Sequence, residues 1–195
     1  MNNWLDRHKK DPYVKAKKNI IIARSYFKIE EIDIKFNIFK PNQSILDLGA
    51  APGGWSQYVI KKTKNITLFD ILPINNKLFN DINGDIIIGD IFNEQDFIKF
   101  HNKKFNVIMS DILPNRSGNN TIDHNNSINV VKQIIKISEN ILINNGILIM
   151  KILYQSNIND IIKDLKIKFK YVHIFKPKSS RNESMERFLV CLNYH

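Results

Sequence analysis

Apolar residues along this chain gather in short continuous runs separated by stretches of helical spacing. The runs Ser44–Leu48, Ile66–Asp70, Asp85–Ile88, Phe105–Ser110, Gly146–Ile152, Tyr171–Phe175 and Phe188–Leu192 predict seven strands. Most are apolar at successive positions, as strands buried on both faces of a parallel sheet are. Helical spacing over Trp55–Lys62, Glu94–His101, Ser127–Ile143 and Asn157–Phe169 fills the intervals. Ahead of the first strand, Ala23–Phe36 carries a stripe of Tyr26, Phe27, Ile29, Ile32 and Phe36. Strand alternating with helix predicts an α/β fold, a mostly parallel seven-stranded sheet with helices on both faces. The connection Lys176–Arg187 is too short for a parallel crossover helix, so the last strand is expected to be antiparallel. Ile112–Asn126 is polar, with Pro114, Gly118 and many Asn. A loop of that length in a compact domain is usually functional.

The most informative segment runs from Ser44 to Gln57, SILDLGAAPGGWSQ: strand, loop of small residues, helix. That arrangement lets backbone approach a nucleotide-like ligand closely. It is not the Gly-x-Gly-x-x-Gly fingerprint of dinucleotide sites. Pro52 removes a backbone donor and stiffens the turn, which suits a flat or sulfonium ligand better than a pyrophosphate. The candidate ligand contacts are Asp47, Gly49, Ala50, Pro52, Gly53 and Gly54. Trp55 either packs under the ligand or pins the helix to the sheet, and the second role with partial contact is favoured. Asp47, Asp70, Asp90 and Asp111 each fall at or just past the carboxyl end of a predicted strand, the edge where open α/β sheets bind ligands. Asp70 stands about twenty residues past the loop, where an acid accepts hydrogen bonds from ribose hydroxyls. No matching Arg accompanies it, which favours a free ribose over a 2′-phosphate. Asp90 is placed to meet an adenine amino group.

Composition changes the picture in one respect. The 195 residues are 43% apolar and 25% charged, as in an ordinary globular protein of one domain. The formal net charge of +10 is confined to the flanks. Residues 1–40 carry 10 Lys and Arg against 5 Asp and Glu, residues 41–150 carry 10 of each, and residues 151–195 carry 9 against 4. A neutral middle with basic ends predicts a ligand-binding scaffold framed by surfaces that meet a polyanion, residues 1–40 forming one of them. The one cysteine, Cys191, cannot form an internal disulfide, which points to a reducing compartment. No apolar run approaches ~18 residues, so no membrane span is expected. The N-terminus matches neither a signal peptide nor an acid-poor transit peptide. No Cys/His spacing suggests a metal site.

With these residues placed, the sequence resembles the FtsJ/RrmJ family of ribose 2′-O-methyltransferases over nearly its whole length. The matching segments include RSYFKIEEI (24–32), LDLGAAPGGWSQYV (46–59), FDILPI (69–74), GDI (89–91), MSDILPNRSG (109–118), LIMK (148–151) and KPKSSRNESMERFLV (176–190). The transfer-RNA branch tends to have Cys and Ser where this chain has Gly49 and Gly54, so the likeness is to the branch that methylates large-subunit ribosomal RNA. The resemblance implies a Rossmann-like S-adenosylmethionine-dependent methyltransferase fold and 2′-O-methylation of a ribose, a uridine by expectation. The implied partner is ribosomal RNA, free or in an assembled large subunit, and the implied state a monomer in the cytoplasm, or in a mitochondrion or another organelle with its own ribosomes. Alternatives are a transfer-RNA 2′-O-methyltransferase, a non-catalytic ribosome-assembly factor on the same scaffold, and a small-molecule methyltransferase. The family's Lys-Asp-Lys-Glu tetrad falls on Lys28, Asp111, Lys151 and Glu186, with Glu183 competing for the last place. Lys151 is then base or hydroxyl orienter, Asp111 its positioner, and Lys28 and Glu186 supports on the substrate side. Burial near Lys28 is expected to lower the Lys151 pKa, with Asp111 opposing.

Overall fold

The computed structural model describes residues 21–100, 102–114, 117–154 and 158–195. The basic stretch up to residue 20, Asn115 of the polar segment, and His101 and Asn157 at the ends of two predicted helices lie outside the described residues.

The elements follow in the order α1 (Ser25–Phe36), β1 (Ile45–Leu48), α2 (Gly54–Val59), β2 (Ile66–Asp70), β3 (Ile86–Ile88), α3 (Glu94–Phe97), β4 (Phe105–Ser110), α4 (Asn120–Ile141), β5 (Leu142–Leu153), α5 (Ile158–Lys168), β6 (Phe169–Phe175) and β7 (Glu186–Tyr194). The strands form one sheet in the order β3-β2-β1-β4-β5-β7-β6. The first five run parallel. β7 inserts between β5 and β6, antiparallel to both. The central strands β1 and β2 are buried along their whole length, which is why their sequences are apolar at consecutive positions.

Two boundaries differ from the sequence reading. The polar segment is not a loop throughout, since α4 begins at Asn120. The Asn119 side chain caps it, accepting from the N–H groups of Thr121 and Ile122 at 3.0 and 3.3 Å. Asn125 and Asn126 are exposed on the first turns of this helix, so their polarity reflects a solvated face rather than a loop. β5 starts at Leu142 instead of Gly146, with an irregular register opposite Phe105–Val107.

Each face of the sheet carries its own core. On one side, Leu46, Leu48, Phe69, Ile108, Leu148, Met150, Ile152, Leu189 and Cys191 pack against α4 and α5. On the other, Ile45, Ile66, Leu68, Val107, Met109, Ile149, Phe188 and Val190 pack against α1 and α2. Asp33 fixes the exit from α1. Its Oδ1 accepts from the N–H groups of Ile38 and Phe39, both at 2.9 Å, and its Oδ2 accepts from the Tyr58 hydroxyl at 2.7 Å. α1 is thereby held against α2 with Lys28 near the carboxyl ends of the strands.

Candidate active site

Side chains alternate along a strand, so parity decides which ionisable groups can meet. Asp47 follows Ile45, Asp70 follows Leu68, Asp111 follows Met109, Lys151 follows Ile149, and Glu186 precedes Phe188. All five therefore share the face covered by α1 and α2. Lys151 is in register with Phe188, which makes Glu186 its diagonal neighbour, within reach of a long side chain.

The four groups of the expected tetrad form one continuous row. Lys151 Nζ lies 2.8 Å from Asp111 Oδ1 and 2.9 Å from Glu186 Oε1. Glu186 Oε2 accepts from Lys28 Nζ at 2.6 Å. The Lys28 ammonium also stands 5.9 Å from the centre of the Phe188 ring. Glu186 is buried, whereas Glu183 is exposed on the preceding loop, so Glu186 is the acid between the two lysines.

The row's electrostatics reverse one expectation. Burial does push the Lys151 pKa down, but the Asp111 and Glu186 carboxylates outweigh it and raise the value above that of an ordinary lysine. Near neutrality Lys151 is an ammonium. For Glu186, burial pushes the pKa up, while Lys151 and Lys28 pull harder and leave it lowered.

Asp111 is shared with a second feature, a cavity of about 470 Å³ beyond the carboxyl ends of β1 to β4. Gly49, Ala51, Asp70, Asp90, Asp111 and Ile112 line it. Asp70 Oδ2 accepts from the Ala51 N–H and Oδ1 from the Leu72 N–H, both at 2.8 Å, so this carboxylate also organises the loop. Asp90 Oδ1 accepts from the Phe92 N–H at 3.0 Å. Asp47 lies beneath the loop, fully buried, and accepts from the Ser56 hydroxyl, while its Oδ1 has no hydrogen-bond partner. Burial raises its pKa to about 7, the Ser56 hydrogen bond lowering it and the charges of Asp111 and Asp70 adding to the rise.

The small residues of the loop divide into two groups. Gly49 has φ +79, and a Cβ there would run into the Ile112 side chain, so it keeps the cavity wall in place. Gly53 (φ +111) and Gly54 do not line the cavity. A Cβ on Gly53 would sit 2.6 Å from Phe79, and one on Gly54 2.9 Å from Ala23, so both serve close packing of α2. Ala50 is buried, and neither Pro52, in a cis peptide bond with Ala51, nor Trp55 lines the cavity. Trp55 is 2% exposed, with its ring 5.7 Å from that of Phe188, and pins the helix to the sheet.

Sequence reading missed the cavity's apolar rim of Ile71, Leu72 and Phe92, which stay 66%, 60% and 54% exposed. A signal was present: Asp-Ile-Leu, Asp-Ile-Phe and Asp-Ile-Leu recur at Asp70, Asp90 and Asp111, an acid followed by apolar residues at three strand ends. The size of the cavity suits a nucleoside-sized ligand. Its carboxylates, apolar rim, glycine-dependent wall and the unpartnered Asp47 oxygen beneath the loop fit S-adenosylmethionine. Among the described residues no group of His, Cys, Asp and Glu could hold a metal ion, and no helix is long and apolar enough to cross a membrane.

Comparison with known proteins agrees with this geometry. Residues 21–194 match the model of the FtsJ-like methyltransferase family. The chain is 42% identical to a ribosomal RNA large subunit methyltransferase E of Buchnera aphidicola (subsp. Acyrthosiphon pisum, strain APS), covering 97% of this chain and 94% of that one. It is 40% identical to the protein of the same name from Ehrlichia chaffeensis, over 98% and 92%. Among solved structures, a Plasmodium falciparum protein assigned as a ribosomal RNA methyltransferase superposes with a TM-score of 0.75 at 29% identity, over 88% of this chain and 97% of that one.

Proposed function

The chain belongs to the FtsJ-like methyltransferase family, and from that premise we propose that it methylates the 2′-hydroxyl of a ribose, a uridine by the sequence reading, in large-subunit ribosomal RNA. The observation that carries this reading is the unbroken row Lys28–Glu186–Lys151–Asp111, whose last member also lines the cavity. Asp111 is where the target hydroxyl and the methyl donor would meet.

S-adenosylmethionine, when bound, supplies an electrophilic methyl group on a sulfonium centre. Asp70 and Asp90 would hold its polar groups, Gly49 and Ala51 would admit it, and Ile112 with the apolar rim would cover its apolar surface. Methyl transfer is an in-line displacement, so orientation is a large part of the task. Lys151, fixed by two carboxylates, donates a hydrogen bond to the ribose oxygen and aligns a lone pair. A base as strong as a free lysine is not required. The carbon–oxygen bond would form as the carbon–sulfur bond breaks and sulfur leaves with the electron pair as a thioether; the hydroxyl oxygen then becomes strongly acidic, and its proton leaves toward Asp111, whose side chain is 20% exposed. Lys28 and Glu186 hold Lys151 in place. The chain acts as a single methyltransferase domain in the cytoplasm.

Incubation with methyl-labelled cofactor and either large ribosomal subunits, free large-subunit RNA or transfer RNA tests this reading. Label mapped to a 2′-O-methylated uridine of the large-subunit RNA is the expected result. Label on transfer RNA, or on no RNA, refutes it.

A further inference from the structure

The edge strand β6 carries a row of aromatic rings that the methyl-transfer site does not use. Tyr171, His173 and Phe175 alternate along one face of the strand. The Tyr171 and His173 rings stack, with centroids 6.4 Å apart and planes within 17°. Phe36, at the end of α1, sits 5.1 Å from His173 and 5.7 Å from Phe175 and joins them into one row. Tyr171 is 46% exposed. Beside the row a groove of about 550 Å³ runs along the edge of the sheet, its lining including Lys35, Phe36, Ile162, Lys166 and His173.

The charge in this groove and beside the aromatic row is of one sign. Lys35, Lys166 and Lys170 are exposed and, among the described residues, enter no ion pair. Lys35 Nζ lies 5.8 Å from the Phe36 ring centre and Lys170 Nζ 5.3 Å from that of Tyr171. The nearby helix acid Asp164 lines a different groove, with Lys132 and Lys136. Exposed aromatic faces interleaved with unpaired cations are what single-stranded nucleic acid binds, bases on the rings and phosphates on the lysines. A protein strand added to the edge of β6 would need its backbone groups but would leave three lysines without partners.

Placement ties the groove to the reaction. Lys151, Phe188 and Phe175 stand in register across β5, β7 and β6. Two inter-strand spacings are about 10 Å and four residues of strand about 13 Å, which puts Tyr171 roughly 16 Å from Lys151. At ~3.4 Å per stacked nucleotide that is about five nucleotides.

We propose that the Tyr171–His173–Phe36 row, the groove lined by Lys35 and Lys166, and Lys170 beside Tyr171 bind a single-stranded segment of the RNA substrate about five nucleotides from the methylated ribose. This rests on the reading of RNA as substrate. The surface would favour substrates in which the target is flanked by unpaired RNA.

The test is fluorescence anisotropy with a labelled single-stranded RNA of about ten nucleotides, run beside single-turnover methylation of the large-subunit RNA. The double variant Tyr171→Ala/His173→Ala is expected to bind the oligonucleotide at least tenfold more weakly, equivalent to ~1.4 kcal/mol. Its turnover at saturating RNA should be unchanged, and Tyr171→Phe should bind as the wild type does. Lys166→Glu/Lys170→Glu, two exposed sites that enter no ion pair among the described residues, should weaken binding and flatten its salt dependence. Wild-type affinity in both double variants overturns the proposal. So does a wild-type dimer in sedimentation that the Tyr171 variant abolishes, because the row would then serve a second copy of the chain. If the wild type transfers no methyl group to any RNA, the functional reading fails on its own, while the anisotropy still decides the fate of this surface.

Discussion

Replacing Glu186 with Gln puts the role of Lys151 to a direct test. The substitution keeps the shape of the side chain and removes one of the two anions that hold Lys151 protonated. Gln can accept from one lysine, but its amide NH₂ then faces the other ammonium, donor against donor. The side chains of Lys28, Lys151 and Glu186 are only 13%, 11% and 10% exposed. Removing one partner from such a buried ion pair costs about 3–5 kcal/mol, and the hydrogen bond that Gln retains places this case near ~3. For a domain of this size each kcal/mol shifts Tm by about 2–4 °C, so a fall of roughly 6–12 °C is expected in calorimetry. With Asp111 still beside it, Lys151 keeps its proton at neutral pH but is repelled by an unbalanced Lys28. A displacement on the order of 1 Å costs up to about 100-fold in rate. Single-turnover methyl transfer at saturating cofactor and RNA should therefore slow by about 10- to 100-fold. Across pH 7 to 9 the wild-type rate should show no rise attributable to a lysine losing its proton. The reasoning is refuted if Glu186→Gln reacts at or above the wild-type rate near neutrality. That result would mean that the raised Lys151 pKa restrains the reaction and that the neutral amine is the working form.

Other consequences follow from the cavity and the loop beneath it. Asp70→Ala should weaken S-adenosylmethionine binding by about 1–3 kcal/mol in isothermal calorimetry, because the ligand loses an acceptor and the Ala51 and Leu72 N–H groups lose theirs; unchanged affinity would remove Asp70 from the site. Asp47 has a folded pKa of about 7 against an ordinary 3.8, so between those values the folded chain holds a proton that the unfolded chain has lost. Stability should fall as pH rises through that window and level off above it, and Asp47→Asn should flatten the trend in urea midpoints measured from pH 4 to 8. Gly49→Ala should destabilise by about 1–3 kcal/mol, since it combines positive φ with a clash at Ile112, and should weaken cofactor binding as well; a melting temperature equal to the wild type's would contradict this account of the loop.

Much of this architecture was legible because strand burial and strand chemistry share one period. ILIMK places Lys151 two residues beyond Ile149, and MERFLV places Glu186 two residues before Phe188, so apolar and ionisable positions reveal the same face. The short Lys176–Arg187 connection gave the antiparallel last strand. The illegible parts depend on residues far apart in the chain. Gly53 and Gly54 read from the sequence as loop glycines and candidate ligand contacts, and the close approach of Phe79 and Ala23 to them becomes visible only in the fold. The Asn-rich stretch after Asn119 looks like a loop until the helix it begins is seen to be solvated on that side. The direction of the Lys151 shift required a count of its neighbours: the sequence reading weighed Lys28 and Asp111 and left Glu186 on the substrate side, whereas β7 entering between β5 and β6 puts Glu186 against Lys151.

That insertion also explains why the chain's positive charge lies elsewhere. Two lysines and two carboxylates make the row neutral, so it is suited to orienting a hydroxyl and not to holding a polyanion. The cavity adds further acids at Asp70 and Asp90, which would repel phosphate but suit a ligand carrying a sulfonium and ribose hydroxyls. Attraction for the RNA backbone must then come from outside the centre, and the excess of Lys and Arg is confined to residues 1–40 and 151–195. The division assigns different experiments to different parts of the molecule. Changes within the row should alter turnover with little effect on the salt dependence of RNA binding. Changes to flanking lysines other than Lys28 and Lys151 should alter that salt dependence and leave turnover at saturation intact.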